Sequence, residues 1–323
     1  MSTILQLSGV IIFAVVWILG PFISIGFSIY VILHPDYWIF VILYCAWFWY
    51  DKDTSRKGSH PRKSVTECFL WKGLASYFPL KLVKTVNLPP NRNYIIGSHP
   101  HGVLSIGLFT NFATNATGFT DLFPNIQPYV MTLSSQFYFP LRRDLVASFN
   151  VVDVTKESLK YLLTNNKKGN ACAIVIGGAH ESLEDPHTCI LKNKKGFCKY
   201  ALQYGADLVP MYHFGENDAY DLYPNPKGSL IRYLQEKMID IIGFSAPVYK
   251  GLSIFGLYFV SLIPKAGKIT TIVGRPIRVT QCDNPTQEQI DELHAKYCEE
   301  LVKLFESHKK LHKIPKNVHL TLK

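Results

Sequence analysis

The distribution of apolar residues divides the chain into two unlike parts. From Met1 to Pro35 there is no Asp, Glu, Lys or Arg, and from Tyr37 to Tyr50 there is again none. The stretch Ile4–Tyr50 holds about 47 residues, roughly two bilayer crossings at about 20 each. Helix breakers stand at Gly20-Pro21 and at His34-Pro35-Asp36, and either position can form a bend. Splitting at His34 leaves a second arm of about 14 residues, roughly 21 Å as a helix and short for a full span. Residues 1–50 are therefore expected to form a membrane hairpin, with two transmembrane helices and a re-entrant turn both open.

Beyond Tyr50 the pattern changes to apolar runs of strand length alternating with amphipathic segments of helix length. Strands are expected at Tyr94–Ser98, Pro128–Thr132, Val151–Val154, Ala171–Ile176 and Asp207–Phe214. Helices are expected over Val103–Ala113, Leu141–Ser148, Thr155–Leu163 (with Thr155 as cap) and Gly196–Tyr204, the last closed by Gly205. Thr286 and Gln289 have capping-box spacing and open a long helix whose stripe is Ile290, Leu293, Tyr297, Leu301, Leu304 and Phe305. Such alternation, with strands apolar throughout, predicts an α/β domain with a mainly parallel sheet over residues 51–323. One segment stands apart. Ile242–Pro264 is aromatic and aliphatic with Lys250 its only charge, and reads as a buried core element or as a membrane-associated surface.

Composition sharpens this division. The 323 residues are 48% hydrophobic and carry a formal net charge of +10, an unusual pairing for a soluble enzyme. Lys52, Arg56, Lys57, Arg62 and Lys63 follow the hairpin at once, which by the positive-inside rule places the domain on the cytosolic face. A signal peptide fits poorly: no basic residue precedes Ile4, the apolar run is too long, and no small-residue cleavage site precedes Asp51. Seven cysteines with no CxxC pair argue against a disulfide framework and a zinc site. The basic residues are scattered or beside the hairpin, so nucleic acid is not an expected partner.

Two strand ends carry candidate chemistry. His99-Pro100-His101-Gly102 follows the first predicted strand, where ligands gather in parallel sheets. Histidine titrates near neutrality and suits removal of a hydroxyl proton, Pro100 stiffens the turn, and Gly102 leaves room for a substrate. The HxH pair also raises a metal, but no His, Asp or Cys nearby completes a set at ligand spacing, and none is expected. Gly177-Gly178-Ala179-His180-Glu181-Ser182 ends the clearest strand. Glu181 there can orient a histidine or bind a hydroxyl, and the glycines can offer N–H groups to an oxyanion; a plain turn capped by Ser182 is the bland alternative. Arg142-Arg143 and Lys192, Lys194 and Lys195 are candidates for phosphate groups. There is no GxGxxG, Walker A or GxSxG pattern, against a dinucleotide enzyme, an ATPase and a serine esterase.

These residues carry a resemblance. Tyr77-Phe78-Pro79, the segment Asn93–Gly102, Arg143-Asp144, Gly177–Leu183, Asn193–Phe197, Gly205–Asn217 and Ile269–Pro276 resemble, in order, landmarks of the diacylglycerol acyltransferase type 2 family. That family includes monoacylglycerol and wax alcohol acyltransferases. The resemblance implies a glycerolipid-acyltransferase-like domain in the endoplasmic reticulum membrane, and at lipid droplets, with the catalytic domain facing the cytosol. It implies acyl-CoA as a substrate rather than a cofactor, and a neutral glycerolipid as acceptor. It implies His101 as catalytic base, supported by Glu181 and His99. Gly102, Gly177, Gly178, Arg143, Lys194 and Lys195 are then the substrate-binding candidates, and a homo-oligomer is allowed. Related phosphate-acceptor enzymes carry an arginine soon after the acidic residue, whereas Glu181 is followed by Ser182-Leu183-Glu184-Asp185, which favours a neutral acceptor. Many family members have His-Gly-Arg-Gly where Tyr249-Lys250-Gly251-Leu252 stands. Diacylglycerol is the expected acceptor, with monoacylglycerol or a long-chain alcohol as alternatives, and a non-enzymatic membrane lipid-binding protein as the contrasting class.

Overall fold

In the computed structural model the described residues are 2–165, 167–222, 226–242, 249–250 and 263–323. The chain enters its main sheet through β1 (Lys81–Lys84), β2 (Tyr94–His99), β3 (Gln127–Thr132), β4 (Val151–Asp153) and β5 (Asn170–Val175). A short β6 (Thr188–Cys189) precedes β7 (Asp207–Phe214), and short β8 (Asp221–Leu222) and β9 (Tyr249–Lys250) precede β10 (Thr270–Val273). The seven-stranded order is β1-β10-β7-β2-β5-β3-β4. From β7 through β2, β5 and β3 to β4 all pairs are parallel, while β10 runs antiparallel to β7 and parallel to β1. The expected mainly parallel sheet is present, and β2 is its middle strand. The turn after His99 therefore opens at the carboxyl edge between two parallel neighbours.

Both sheet faces are covered, which explains why β2 and β7 are buried along their whole length. Ile95, Cys172 and Leu208 pack on one face, under Tyr297, Leu301 and Phe305 of the helix Gln287–His308. That helix starts at the expected capping box of Thr286 and Gln289. Ile96, Ala173 and Val209 pack on the other face with Trp71, Leu74, Phe109 and Phe112. The helix expected from Val103 begins only at Ile106 and turns into a π-helical turn at Phe109–Ala113. Its start is set by tertiary structure: the carboxylate of Glu216 accepts the N–H groups of Ile106 and Gly107.

The N-terminal region corrects two expectations. Gly20-Pro21 does not break the first helix, which is continuous over Thr3–Leu33, 31 residues long and apolar enough to cross a membrane. Pro21 falls in the first turn after a π-helical turn at Val15–Leu19, a register in which its missing N–H is tolerated. The bend lies at Pro35–Tyr37, and Trp38–Tyr50 returns as a 13-residue helix. Phe22, Leu33, Phe40 and Trp49 are exposed along this hairpin. The second correction concerns the boundary at residue 50. Val10 and Phe13 are fully buried in the main core, and the first helix packs along the helix Phe69–Tyr77. Two glycines set that approach: a Cβ on Gly73 would lie 2.2 Å from the Leu5 carbonyl oxygen, and one on Gly9 would lie 2.4 Å from that of Leu70. The first turns of the hairpin thus belong to the catalytic domain's core. The segment Ile242–Pro264 lies mainly outside the described residues.

Candidate active site

The carboxyl end of β2 delivers His99 into the core and releases His101 toward a cavity. His99 is fully buried, with Nε2 3.1 Å from the Tyr297 hydroxyl and Nδ1 3.5 Å from Glu181 Oε1. Burial raises the Tyr297 pKa well above its ordinary value, so the hydroxyl stays protonated and can donate to Nε2. The tautomer this assigns directs the His99 Nδ1–H at the Glu181 carboxylate. Glu181, also buried, accepts the backbone N–H of His101 on Oε2 at 3.0 Å and that of Ile190 on Oε1 at 3.0 Å. His101 is half-buried, with Nδ1 2.8 Å from the Gly102 carbonyl oxygen. A carbonyl only accepts, so Nδ1 carries a proton and in the neutral ring Nε2 keeps the lone pair. Glu181 therefore holds the main chain of His101 and faces the ring of His99. It is not the ring partner of His101 that the sequence suggested.

His101 lines an apolar cavity of about 220 Å³ with Leu104, Leu108, Phe109, Met131 and Val175. Ser105, Thr132, Gln136 and Ser182 are its other polar lining residues, and Trp17 of the N-terminal helix closes one side. Among the described residues no Asp, Glu, Lys or Arg lines it. His101 is the one ionisable side chain among the described residues that line it.

The predicted glycines have separate tasks. Gly178 lines the cavity with φ +62°, and a Cβ there would meet nothing within 4 Å. At Gly177 a Cβ would lie 2.3 Å from Glu181 Oε1, so this glycine makes space for the carboxylate rather than for a substrate. Gly102 has φ +60°, and a Cβ would lie 2.7 Å from Glu216 Cγ.

Arg143 is a correction. It is buried, donates to the Phe48 and Asp51 carbonyl oxygens, and pairs with the Asp51 carboxylate at 3.0 Å. Arg142 likewise donates to the Val16 and Gln136 carbonyl oxygens, and its guanidinium lies over Trp17; burial lowers its pKa to about 10. Both fasten the hairpin to the domain and are spent within the protein. Lys195 pairs with Asp291 at 2.8 Å, and Lys194 is exposed, outside the cavity lining. The acid added after Glu181 is also neutralised: Glu184 pairs with Arg232 at 2.6 Å and with Lys323.

Sequence reasoning missed a second buried carboxylate beside the turn. Glu216 Oε1 and Oε2 accept from the N–H groups of Ile106 and Gly107 at 2.6 and 2.8 Å. Burial raises its pKa to about 7 against the opposing pull of those two N–H bonds. Beside it His213 bridges Ser98 Oγ at 2.8 Å and Thr271 Oγ1 at 2.7 Å. Burial, with His99 nearby, lowers its pKa to about 3 and keeps it neutral. Both lie in the landmark Gly205–Asn217, where a polar pair ending a buried strand was the available signal. His99, Glu181 and Cys189 also bring potential ligand atoms within 4.8 Å of one another. Burial keeps the Cys189 thiol protonated, and both Glu181 oxygens already accept N–H bonds, so the cluster fits a hydrogen-bonded core better than a cation.

Comparison with known proteins follows the same lines. The family model described as Diacylglycerol acyltransferase matches residues 30–323. The human 2-acylglycerol O-acyltransferase 1 is 43% identical over 310 residues, covering 95% of this chain and 91% of that protein. The mouse diacylglycerol O-acyltransferase 2 is 42% identical over 300 residues, covering 91% of this chain and 77% of that protein. The crystal structure of the 1-acyl-sn-glycerophosphate acyltransferase PlsC from Thermotoga maritima aligns with 93% of this chain and 95% of its own, at TM-score 0.43 and 13% identity.

Proposed function

The chain belongs to the diacylglycerol acyltransferase family, and we propose that it moves a fatty acyl group from acyl-CoA to the free hydroxyl of diacylglycerol, forming triacylglycerol. The observation that carries this is the free Nε2 of His101 at the wall of an apolar, uncharged cavity. A hydroxyl bound there loses its proton to Nε2 as its oxygen attacks the thioester carbonyl. The tetrahedral oxyanion collapses, the C–S bond breaks, and the imidazolium returns the proton to the departing thiolate. Glu181 contributes by fixing the main chain of His101, and its negative charge favours the imidazolium. No cofactor enters this scheme. That no cation lines the cavity among the described residues suits a neutral acceptor, since an anionic one would need a buried partner.

A monoacylglycerol acceptor is the second reading, favoured by the like identity to a 2-acylglycerol O-acyltransferase. The exposed apolar hairpin and the basic residues after Tyr50 support a membrane enzyme whose domain faces the cytosol, in the endoplasmic reticulum and at lipid droplets. The test is to offer membranes containing the protein labelled acyl-CoA with diacylglycerol, monoacylglycerol or fatty alcohol separately, and to resolve products by thin-layer chromatography. Labelled triacylglycerol as the main product of the diacylglycerol reaction is expected. Product from monoacylglycerol alone supports the second reading, and no ester from any acceptor overturns both.

A further inference from the structure

On the other flank of the His-Pro-His turn lies a second, polar cleft. It measures about 460 Å³ and is walled by Pro100, the end of β7 from Tyr212 to Gly215, Pro186-His187, and the turn Leu311–Pro315 after the C-terminal helix. Pro100 directly precedes His101, so neighbouring residues of one turn line the two cavities. Two lysines, Lys268 and Lys313, stand on the cleft's rim, exposed and with no ion-pair partner among the described residues. Asp218 is the one acid of the lining among the described residues. The ring of His312 stacks on Phe214 at 4.2 Å, with 8° between the planes. Burial, and to a lesser degree the neighbouring Lys268 and His308, lower the His312 pKa.

The reaction's donor has two ends of opposite character, an apolar acyl chain and a phosphorylated nucleotide. The arginine nominated for its phosphates is spent on the hairpin, and Lys195 on Asp291. We propose that this cleft holds the phosphoadenosine end of acyl-CoA, with Lys268 and Lys313 meeting its phosphates and the adenine lying against the His312 ring. The pantetheine arm then passes the His-Pro-His turn, and the thioester meets His101 from this side while the acyl chain and acceptor occupy the apolar cavity. This rests on the acyl-CoA reading above.

The experiment compares two donors on the full-length protein in membranes: acyl-CoA, and S-acyl-pantetheine, which keeps the thioester and lacks the nucleotide. Both lysines are exposed, so the Lys268→Glu/Lys313→Glu variant is expected to fold. The ratio of kcat/KM for acyl-CoA to that for S-acyl-pantetheine should fall about tenfold or more in the variant. Inhibition of the wild type by adenosine 3′,5′-bisphosphate should weaken in parallel. Lys160→Glu, on the exposed surface away from the cleft, should leave the ratio unchanged. A ratio unaltered in the double variant overturns the proposal, including the case where the lysines attract anionic lipid headgroups, since that would slow both donors alike. Absence of turnover with either donor in the wild type would instead defeat the acyl-transfer reading itself.

Discussion

Glu181→Gln is the sharpest test of how the turn is held, because the structure gives its carboxylate three partners. The His101 N–H lies 3.0 Å from Oε2, the Ile190 N–H lies 3.0 Å from Oε1, and His99 Nδ1 approaches Oε1 at 3.5 Å. A glutamine has the same size but only one oxygen. Whichever way its amide is turned, an NH₂ group must face one of the two backbone N–H donors. A buried donor without an acceptor costs about 1–3 kcal/mol, and the surviving bond loses the charge that strengthened it. A total of about 2–4 kcal/mol follows. If it is taken from the placement of His101, kcat falls about 30- to 1000-fold, at about 1.36 kcal/mol per factor of ten. The KM for acyl-CoA should hardly move. The assay is labelled product per folded molecule in detergent, with the folded fraction measured by thermal melting. Turnover within about threefold of wild type would falsify the view that this carboxylate positions the base. A Glu181→Gln/His101→Ala variant should be scarcely slower than His101→Ala, since the two residues act as one unit.

Four further outcomes follow from the geometry. His101→Ala should lower kcat by about 10²–10⁴-fold with the protein still folded, and near-normal turnover would end the base assignment. Gly73→Leu should lower the melting temperature through about 3 kcal/mol of overpacking, because the Leu5 carbonyl occupies the space of a Cβ; an unshifted melt would count against this packing of the first helix. Glu216 has a folded pKa of about 7, above its ordinary 4.5, so the unfolded state deprotonates first and stability falls as pH rises from 4.5 toward 7, by about 3 kcal/mol. Glu216→Gln should flatten that pH dependence of the melt, and an unchanged slope would reject the assignment. Finally, Asn115 within Asn115-Ala116-Thr117 should carry no glycan if the domain faces the cytosol, and an endoglycosidase shift abolished by Asn115→Gln would reverse the orientation.

What was legible in the sequence is what depends on local pattern. β7 was expected over Asp207–Phe214 and is found there, because eight buried residues ending in a glycine turn admit little else. The capping box at Thr286 and the left-handed Gly205 are likewise local signals with local causes. The His101 turn was legible because it ends a strand in a parallel sheet. What could not be read is what long-range contacts decide. Nothing near Val103 says that its helix waits until Ile106; that is set by Glu216, far along the chain. Arg142 and Arg143 looked free because a charge run in sequence carries no sign of the Val16 and Asp51 carbonyl groups they reach. Pattern alone leaves the bend open between Gly20-Pro21 and His34-Pro35-Asp36, because the π-helical turn that absorbs Pro21 has no simple sequence signature.

Trp17 stands where the N-terminal helix meets the His101 cavity. The same helix supplies exposed Phe22 and Leu33 beyond its π-helical turn and buried Val10 and Phe13 before it, so the turn sits where the helix leaves the core. Trp17 in that turn lines the His101 cavity, and Arg142 packs over its ring while holding the Val16 carbonyl. A neutral lipid dissolved among acyl chains would reach His101 along apolar surface from this side. The nucleotide end of a soluble thioester, with its phosphates, would find no favourable contact there and has the polar cleft beyond Pro100 instead. On the proposed reading, one turn of four residues between two unlike cavities would let a hydroxyl from the lipid phase and a thioester whose nucleotide stays in water meet at a single imidazole.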